Sequence, residues 1–254
     1  VKKTKCMQMA LQQDIVQAMK IFQVSYSPLG GAGKVARSIN QLLSDVNGVD
    51  PEERFMNEKN LRSNPFENSQ TLARSLCDEF LVKKSSYSGM ISPIRSFSRI
   101  LEFEENPDIV HLHWWYDIDL EALADQYANT LFVISLHDDR ALTGACHSSN
   151  SCVRFRTGCT RCPVVRPFFR RNVANSFLES RKMMSSPQRL KFTAPSESMK
   201  RKAFEAGLDR IADVIVVPNP IDEAFWGTAE ISSAQHPPKV RPGRARVGFI
   251  AQNL

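Results

Sequence analysis

The chain is predicted to fold as an α/β domain built on a doubly wound parallel sheet. Short apolar runs alternate with segments whose apolar positions repeat at helical spacing, which argues for strands covered by helices on both faces. The first run, KIFQVSY, passes through the glycine-rich PLGGAGK straight into a helical pattern, the usual opening of such a domain. A later run, TLFVISLHDD, gives out in polar residues, as a strand does at the carboxyl edge of a parallel sheet.

Size and composition fit this reading. The 254 residues are 42% hydrophobic, enough for one large domain or a domain plus a fragment, and the interleaved charges exclude wholesale disorder. A net charge of +6 suits nucleic acid, anionic lipid or phosphorylated small molecules without choosing among them. No apolar run reaches the ~20 residues of a membrane span. The opening VKKTKCMQMALQQDIVQAM is basic but lacks the apolar centre of a signal peptide. The expectation is a reducing, cytoplasmic setting, where clustered cysteines are more often metal ligands than disulfides. MKIFQVSYSPLGG, from Met19, reads like a protein start, which makes residues 1–18 an extension.

In order along the chain, Lys20 to Tyr26 reads as a buried strand, followed by a helix with Val35, Ile39, Leu42, Leu43 and Val46 at helical spacing. ERFMNEK reads as a short second strand. NSQTLARSLCDEFLVKK is helical, with Cys77 on its apolar stripe, and SPIRSFSRILEFEE is helical with Pro93 in its first turn. NPDIVHLHWW is a turn and a strong strand; DIDLEALADQY is a helix capped by Asp117 or Asp119. A basic helix spans VRPFFRRNVANSFLESRKMM. Next come the strand in RLKFTAP, a helix capped by Ser196 and stopped by Gly207, and the strand in DVIVVPNPID. After Asp222 the composition turns linker-like, and RVGFIAQNL reads as a strand opening a second domain, so the domains are expected at 19–222 and 223–254.

The order of motifs resembles the N-terminal domain of a GT-B fold glycosyltransferase, closest to family 4 enzymes of exopolysaccharide and colanic-acid-type clusters. The resemblance rests on the strand before GGAG (Gly30 to Gly33), PDIVHLHW (Pro107 to Trp114), LHD (Leu136 to Asp138), TGACH…C…C..CP (Thr143 to Pro163), APS (Ala194 to Ser196) and VVPNPID (Val216 to Asp222). The kin read closer to LHDMW.FTGGCH and PNGID, so Asp139, Arg140, Ala145 and Pro220 are departures. The resemblance implies two Rossmann-like domains facing across a cleft, the first receiving the acceptor and the second, largely missing here, holding a nucleotide-sugar donor. It also implies transfer with retention of configuration, without a divalent metal in catalysis.

Gly30, Gly31 and Gly33 sit where strand meets helix, where exposed N–H groups favour an anion; the resemblance puts a donor diphosphate and the acceptor nearby. His137 and Asp138 stand where a strand ends, at the edge where ligands of open sheets bind. The resemblance puts such a histidine near the transferred sugar; Asp138 would orient its ring or contact the acceptor. His111 and His113 share one face of their strand, His111 as a satisfied core histidine and His113 as an acceptor-pocket candidate. Trp114 could stack on a sugar face.

Four of the six cysteines fall in HDDRALTGACHSSNSCVRFRTGCTRCP. Cys146, Cys152, Cys159 and Cys162 read as C-x5-C-x6-C-x2-C, and the last pair has the spacing of a metal-binding knuckle. Four thiolates make a closed, structural zinc site, with His147 as a spare ligand. Two disulfides, an iron–sulfur cluster and unliganded thiols remain alternatives. Arg154, Arg156, Arg161, Arg166, Arg170 and Arg171, with Phe168 and Phe169 among them, read either as a solvated face or as contact with an anionic acceptor or the inner membrane face.

The expected function is therefore glycosyl transfer from a nucleotide-sugar to a saccharide or lipid-linked acceptor in polysaccharide biosynthesis. A catalytically inactive acceptor- or partner-binding module is the alternative. Zinc-dependent nucleic-acid binding ranks third, because the arginines do not line one recognition helix and no zinc-finger spacing appears.

Overall fold

A computed structural model describes residues 18–56, 101–115 and 118–221. The extension over residues 1–17, the helices predicted across 57–100 with Cys77, Asp117, and the linker and strand after residue 222 lie outside the described residues. The chain divides into two compact units, Val1–Asn219 and Pro220–Leu254, and the sheet and its carboxyl edge belong to the first.

Six strands form one sheet: β1 (Met19–Ser25), β2 (Val49–Phe55), β3 (Ile109–Leu112), β4 (Leu131–Ser135), β5 (Leu190–Ala194) and β6 (Val214–Val216). Four α-helices accompany them among the described residues: α1 (Gly30–Ser44), α2 (Leu120–Gln126), α3 (Arg170–Met184) and α4 (Glu197–Glu205). Every strand pair is parallel and the order is β2-β1-β3-β4-β5-β6. The chain steps outward from β1 to β2, then returns past β1 to β3. The order reverses between β1 and β3, and ligands of such sheets bind outside the carboxyl ends at that point.

The expected α/β parallel architecture holds, with local corrections. The glycines do not form a loop; they are the first turn of α1. Gly33 and Ala36, rather than the predicted larger residues, are the buried positions of α1, while Leu42 and Val46 are exposed. Close approach explains this: a Cβ on Gly33 would stand 2.0 Å from the Ser27 carbonyl oxygen. β2 starts before ERFMNEK and contains Pro51, which an edge strand tolerates. Asp119 caps α2 by accepting from the Ala122 N–H at 3.0 Å. Ser196 caps α4 through the Met199 N–H at 3.2 Å, and Gly207, at φ 75°, follows its end as predicted.

Strand alternation gives the sheet two unlike faces. Phe22, Val24, Val110, Leu112, Phe132, Ile134, Phe192 and Ala194 point one way and are at most 1% exposed. They belong to the main core cluster, with Leu120 and Leu123 of α2. Gln23, His111, Ser135 and Thr193 alternate with them and point the other way. Register aligns the strand ends, pairing Val24 with Leu112, Leu112 with Ile134, Ser135 with Thr193 and Ala194 with Val216. The residues just past those ends therefore gather along one edge.

Candidate active site at the carboxyl edge of the sheet

Along that edge the polar face becomes a hydrogen-bonded seam. His113 Nε2 is 2.8 Å from Gln23 Oε1, and His113 Nδ1 is 2.9 Å from His137 Nε2. Gln23 Oε1 can only accept, so His113 donates through Nε2 and accepts through Nδ1. His137 must then donate through Nε2, which leaves its Nδ1 as an acceptor. Beside this chain, His111 Nε2 lies 2.8 Å from Ser135 Oγ, itself 2.8 Å from Thr193 Oγ1. The His111 and His113 rings are 4.1 Å apart, and His113 stacks on His137 at 5.2 Å.

Burial keeps these rings uncharged. Desolvation pulls His111 down to about 4, with repulsion from His137 adding to it. His113 is driven far below the ordinary imidazole range by burial and by both neighbouring histidines. His137 is also lowered by burial, partly opposed by the Asp138 charge. A neutral imidazole donates at one nitrogen and accepts at the other, which the seam requires.

The sequence candidates separate into layers. His137 is partly exposed at the edge, whereas His113, at 2% exposure, stands behind it as its support. His111 is hydrogen-bonded, as expected, but only partly buried rather than in the core. Asp138 accepts from the Arg140 N–H at 2.8 Å and meets His147 Nδ1 at 2.7 Å, and it acts on His137 through its charge. Trp114 is partly buried and stacks on His147, with centroids 5.7 Å apart and planes 20° apart; Tyr26 lies 6.2 Å away on the same edge. His147, predicted as a spare metal ligand, is thus engaged by Asp138 and Trp114. A Cβ on Gly30 or Gly31 would meet nothing within 4 Å, so these two leave the start of α1 open, while Gly33 serves packing.

Gln23 was not among the predicted residues. Its signal was present in period-two alternation: a polar residue inside KIFQVSY, on the parity opposite to Phe22 and Val24. Asp139 and Arg140, which depart from the kin, are 4% and 3% exposed. Asp139 holds Lys202 at 2.6 Å and the Ser149 N–H at 2.6 Å; Arg140 donates to the Ala145 carbonyl. Both therefore tie the following loop together from inside.

That loop carries the cysteines. None of the four is in a disulfide; Cys159 and Cys162 are buried, Cys146 and Cys152 partly so. Cys146, Cys159 and Cys162 join a small apolar cluster with Ala145, Phe155, Val165 and Val173. Among the described residues no set of three or more His, Cys, Asp or Glu side chains already stands at ion-holding positions. A hollow of about 540 Å³ lined by Phe103, Glu104, Glu105, Asn106, Gln126 and Tyr127 includes none of these candidates.

The sequence profile of glycosyltransferase family 4 matches residues 60–225, more than half of the chain. The chain belongs to glycosyltransferase family 4. The matched stretch holds His111, His113, His137, Asp138 and all four loop cysteines; Gln23 and the glycine turn precede it. No curated protein and no solved structure matches the chain. Membership of family 4 supports glycosyl transfer in general terms, and the family's substrate classes are nucleotide-sugar donors and acceptors. No helix among the described residues is long and apolar enough to cross a membrane.

Proposed function

We propose that this family 4 domain forms the acceptor side of a retaining GT-B glycosyltransferase in polysaccharide biosynthesis. It would pass a sugar from a nucleotide-sugar to a saccharide or lipid-linked acceptor. The observation that carries the reading is the partly exposed His137, its tautomer set from behind by His113 and Gln23, at the carboxyl edge of a family 4 sheet. His137 Nδ1 accepts a hydrogen bond from a sugar hydroxyl, and Trp114, stacked on His147, brings an aromatic ring to the same edge. The open first turn of α1, with Gly30 and Gly31 and no acidic side chain, favours the donor diphosphate. Catalysis then works by positioning and by stabilising the leaving diphosphate, and requires no divalent metal.

The enzyme is expected on the cytoplasmic side, peripheral to the inner membrane face. Phe168, 87% exposed, and the exposed Arg154, Arg161, Arg166 and Arg171 of the same stretch of chain support contact with anionic lipid.

The test is turnover of a panel of nucleotide-sugars, with saccharide and polyprenyl-phosphate-linked acceptors, by wild type and His137→Ala. Transfer or hydrolysis that falls about 10²-fold in the variant is expected for loss of a positioned imidazole. Acceptor binding without turnover of any donor would favour the inactive binding module.

A further inference from the structure

We propose, resting on the acceptor-side reading above, that Lys202 is a positioning residue for the acceptor. Its ion pair with the buried Asp139 holds His147 against Trp114 at the carboxyl edge of the sheet.

The ion pair joins a pliable segment to a rigid one. From Leu136 to Arg166 the chain has short 3-10 turns and neither strand nor α-helix. Asp139, near the start of this stretch, is 4% exposed. Its Oδ2 takes Lys202 Nζ at 2.6 Å and the Ser149 N–H at 2.6 Å. A carboxylate this deep needs a counter-charge. Lys202 supplies it from α4, a helix fixed by its Ser196 cap and by Ala203, which is fully buried in the main core.

The consequence appears at the edge. The Asp139 N–H donates to the His147 carbonyl at 3.0 Å, and His147 Nδ1 donates to Asp138 Oδ2 at 2.7 Å. Two adjacent aspartates thus hold His147, one by its backbone and one by its ring. So held, the ring lies on Trp114 with centroids 5.7 Å apart and planes 20° apart, and Tyr26 extends the row 6.2 Å from Trp114. The His147 and Asp138 side chains each keep 24% of their surface exposed. A row of ring faces beside a carboxylate suits a saccharide, whose C–H face stacks on aromatics and whose hydroxyls donate to the carboxylate. Lys202 acts through Asp139, so it places this surface rather than forming it. Without its cation the Asp139 carboxylate turns toward water and releases Ser149, two residues from His147.

The test uses the full chain with Lys202→Met, which keeps the aliphatic stem, and Lys202→Arg, which keeps the charge. In Lys202→Met the Ser149 amide should exchange about tenfold faster than in wild type while Ile134 in β4 is unchanged. The His147 Nδ1–H signal of wild type should broaden. With the saccharide and polyprenyl-phosphate-linked acceptors of the panel above, acceptor KM should rise about tenfold, short of the ~100-fold that a 1 Å misplacement can cost. Turnover at saturating acceptor and donor hydrolysis in water should stay within about twofold. Lys202→Arg should restore both readouts most of the way. Wild-type Ser149 exchange and acceptor KM in Lys202→Met would overturn the proposal. So would a fall in kcat at unchanged KM, or equally faster exchange throughout α4 and β4, the mark of a merely structural role. If wild type turns over no donor, the sugar-transfer reading fails and the acceptor role with it, while the exchange measurement still decides whether Lys202 holds His147.

Discussion

Replacing His113 by Phe tests the seam behind His137 most directly. The ring volume is nearly kept, so the change removes hydrogen bonds rather than packing. Two partners are abandoned: Gln23 Oε1 and His137 Nε2. A buried polar atom left unpaired costs about 1–3 kcal/mol. Gln23 is 1% exposed and has no route to water, so its loss lies toward the upper end. His137 is partly exposed and can turn outward, so its loss is small. The greater apolarity of Phe returns a fraction of the total. The balance is about 2 kcal/mol of destabilisation, or a fall in Tm of about 4–8 °C for a chain of this size. Activity should change in a way that packing alone would not produce. His137 loses the contact that fixes its tautomer, so kcat should fall with KM nearly unchanged. Long-range ¹H–¹⁵N spectra of wild type at neutral pH should show His137 protonated at Nε2 and bare at Nδ1, and both tautomers in the variant. Stability within about 0.5 kcal/mol of wild type together with unchanged kcat, or a wild-type His137 protonated at Nδ1, would refute the seam.

Further predictions concern the same edge and its surroundings. His111 sits at about 4 in the fold against an ordinary 6.5, so the unfolded chain binds its proton first on acidification. The His111 contribution to stability should be complete above about pH 6.5 and fall by about 3 kcal/mol toward pH 4, so the acid loss seen in urea titrations across that range should be lessened in His111→Asn. Gly33→Ala should destabilise by about 1–3 kcal/mol, since its Cβ would meet the Ser27 carbonyl at 2.0 Å; thermal melts check this. Gly31→Ala meets only open space and should be neutral or stabilising by up to about 1 kcal/mol; a loss of turnover in that variant, with stability kept, would mark the first turn of α1 as a ligand site. Phe168→Ser should weaken sedimentation with anionic vesicles but not alter binding to zwitterionic ones, leaving thermal stability unchanged because the ring is exposed.

Much of this molecule was legible before any coordinates. The apolar runs of β1, β3, β4 and β5, the Ser196 cap and the Gly207 stop are local signals, because hydrophobic periodicity and capping chemistry act over a few residues. The place of His137 just past the end of β4 was legible for the same reason, since a strand giving out in polar residues shows in the sequence itself. What periodicity could not supply was the strand order, hence the reversal between β1 and β3, because pairing between distant strands is fixed by register and packing rather than by neighbours in the chain. The roles of the histidines depended on that pairing. Only when Gln23, His111 and Ser135 came onto one face did His113 become the support of His137 rather than an acceptor contact in its own right. The glycines show the same division. Their composition marked a tight turn at a helix start, but only the 2.0 Å approach to Ser27 distinguished Gly33, which packing demands, from Gly30 and Gly31, which it leaves open. The sequence by itself determined most of the described strands and caps and marked which side chains are candidates for chemistry. The tertiary structure decided which of those side chains meet, because hydrogen bonds and close contacts between residues far apart in the chain exist only after the sheet has set its register.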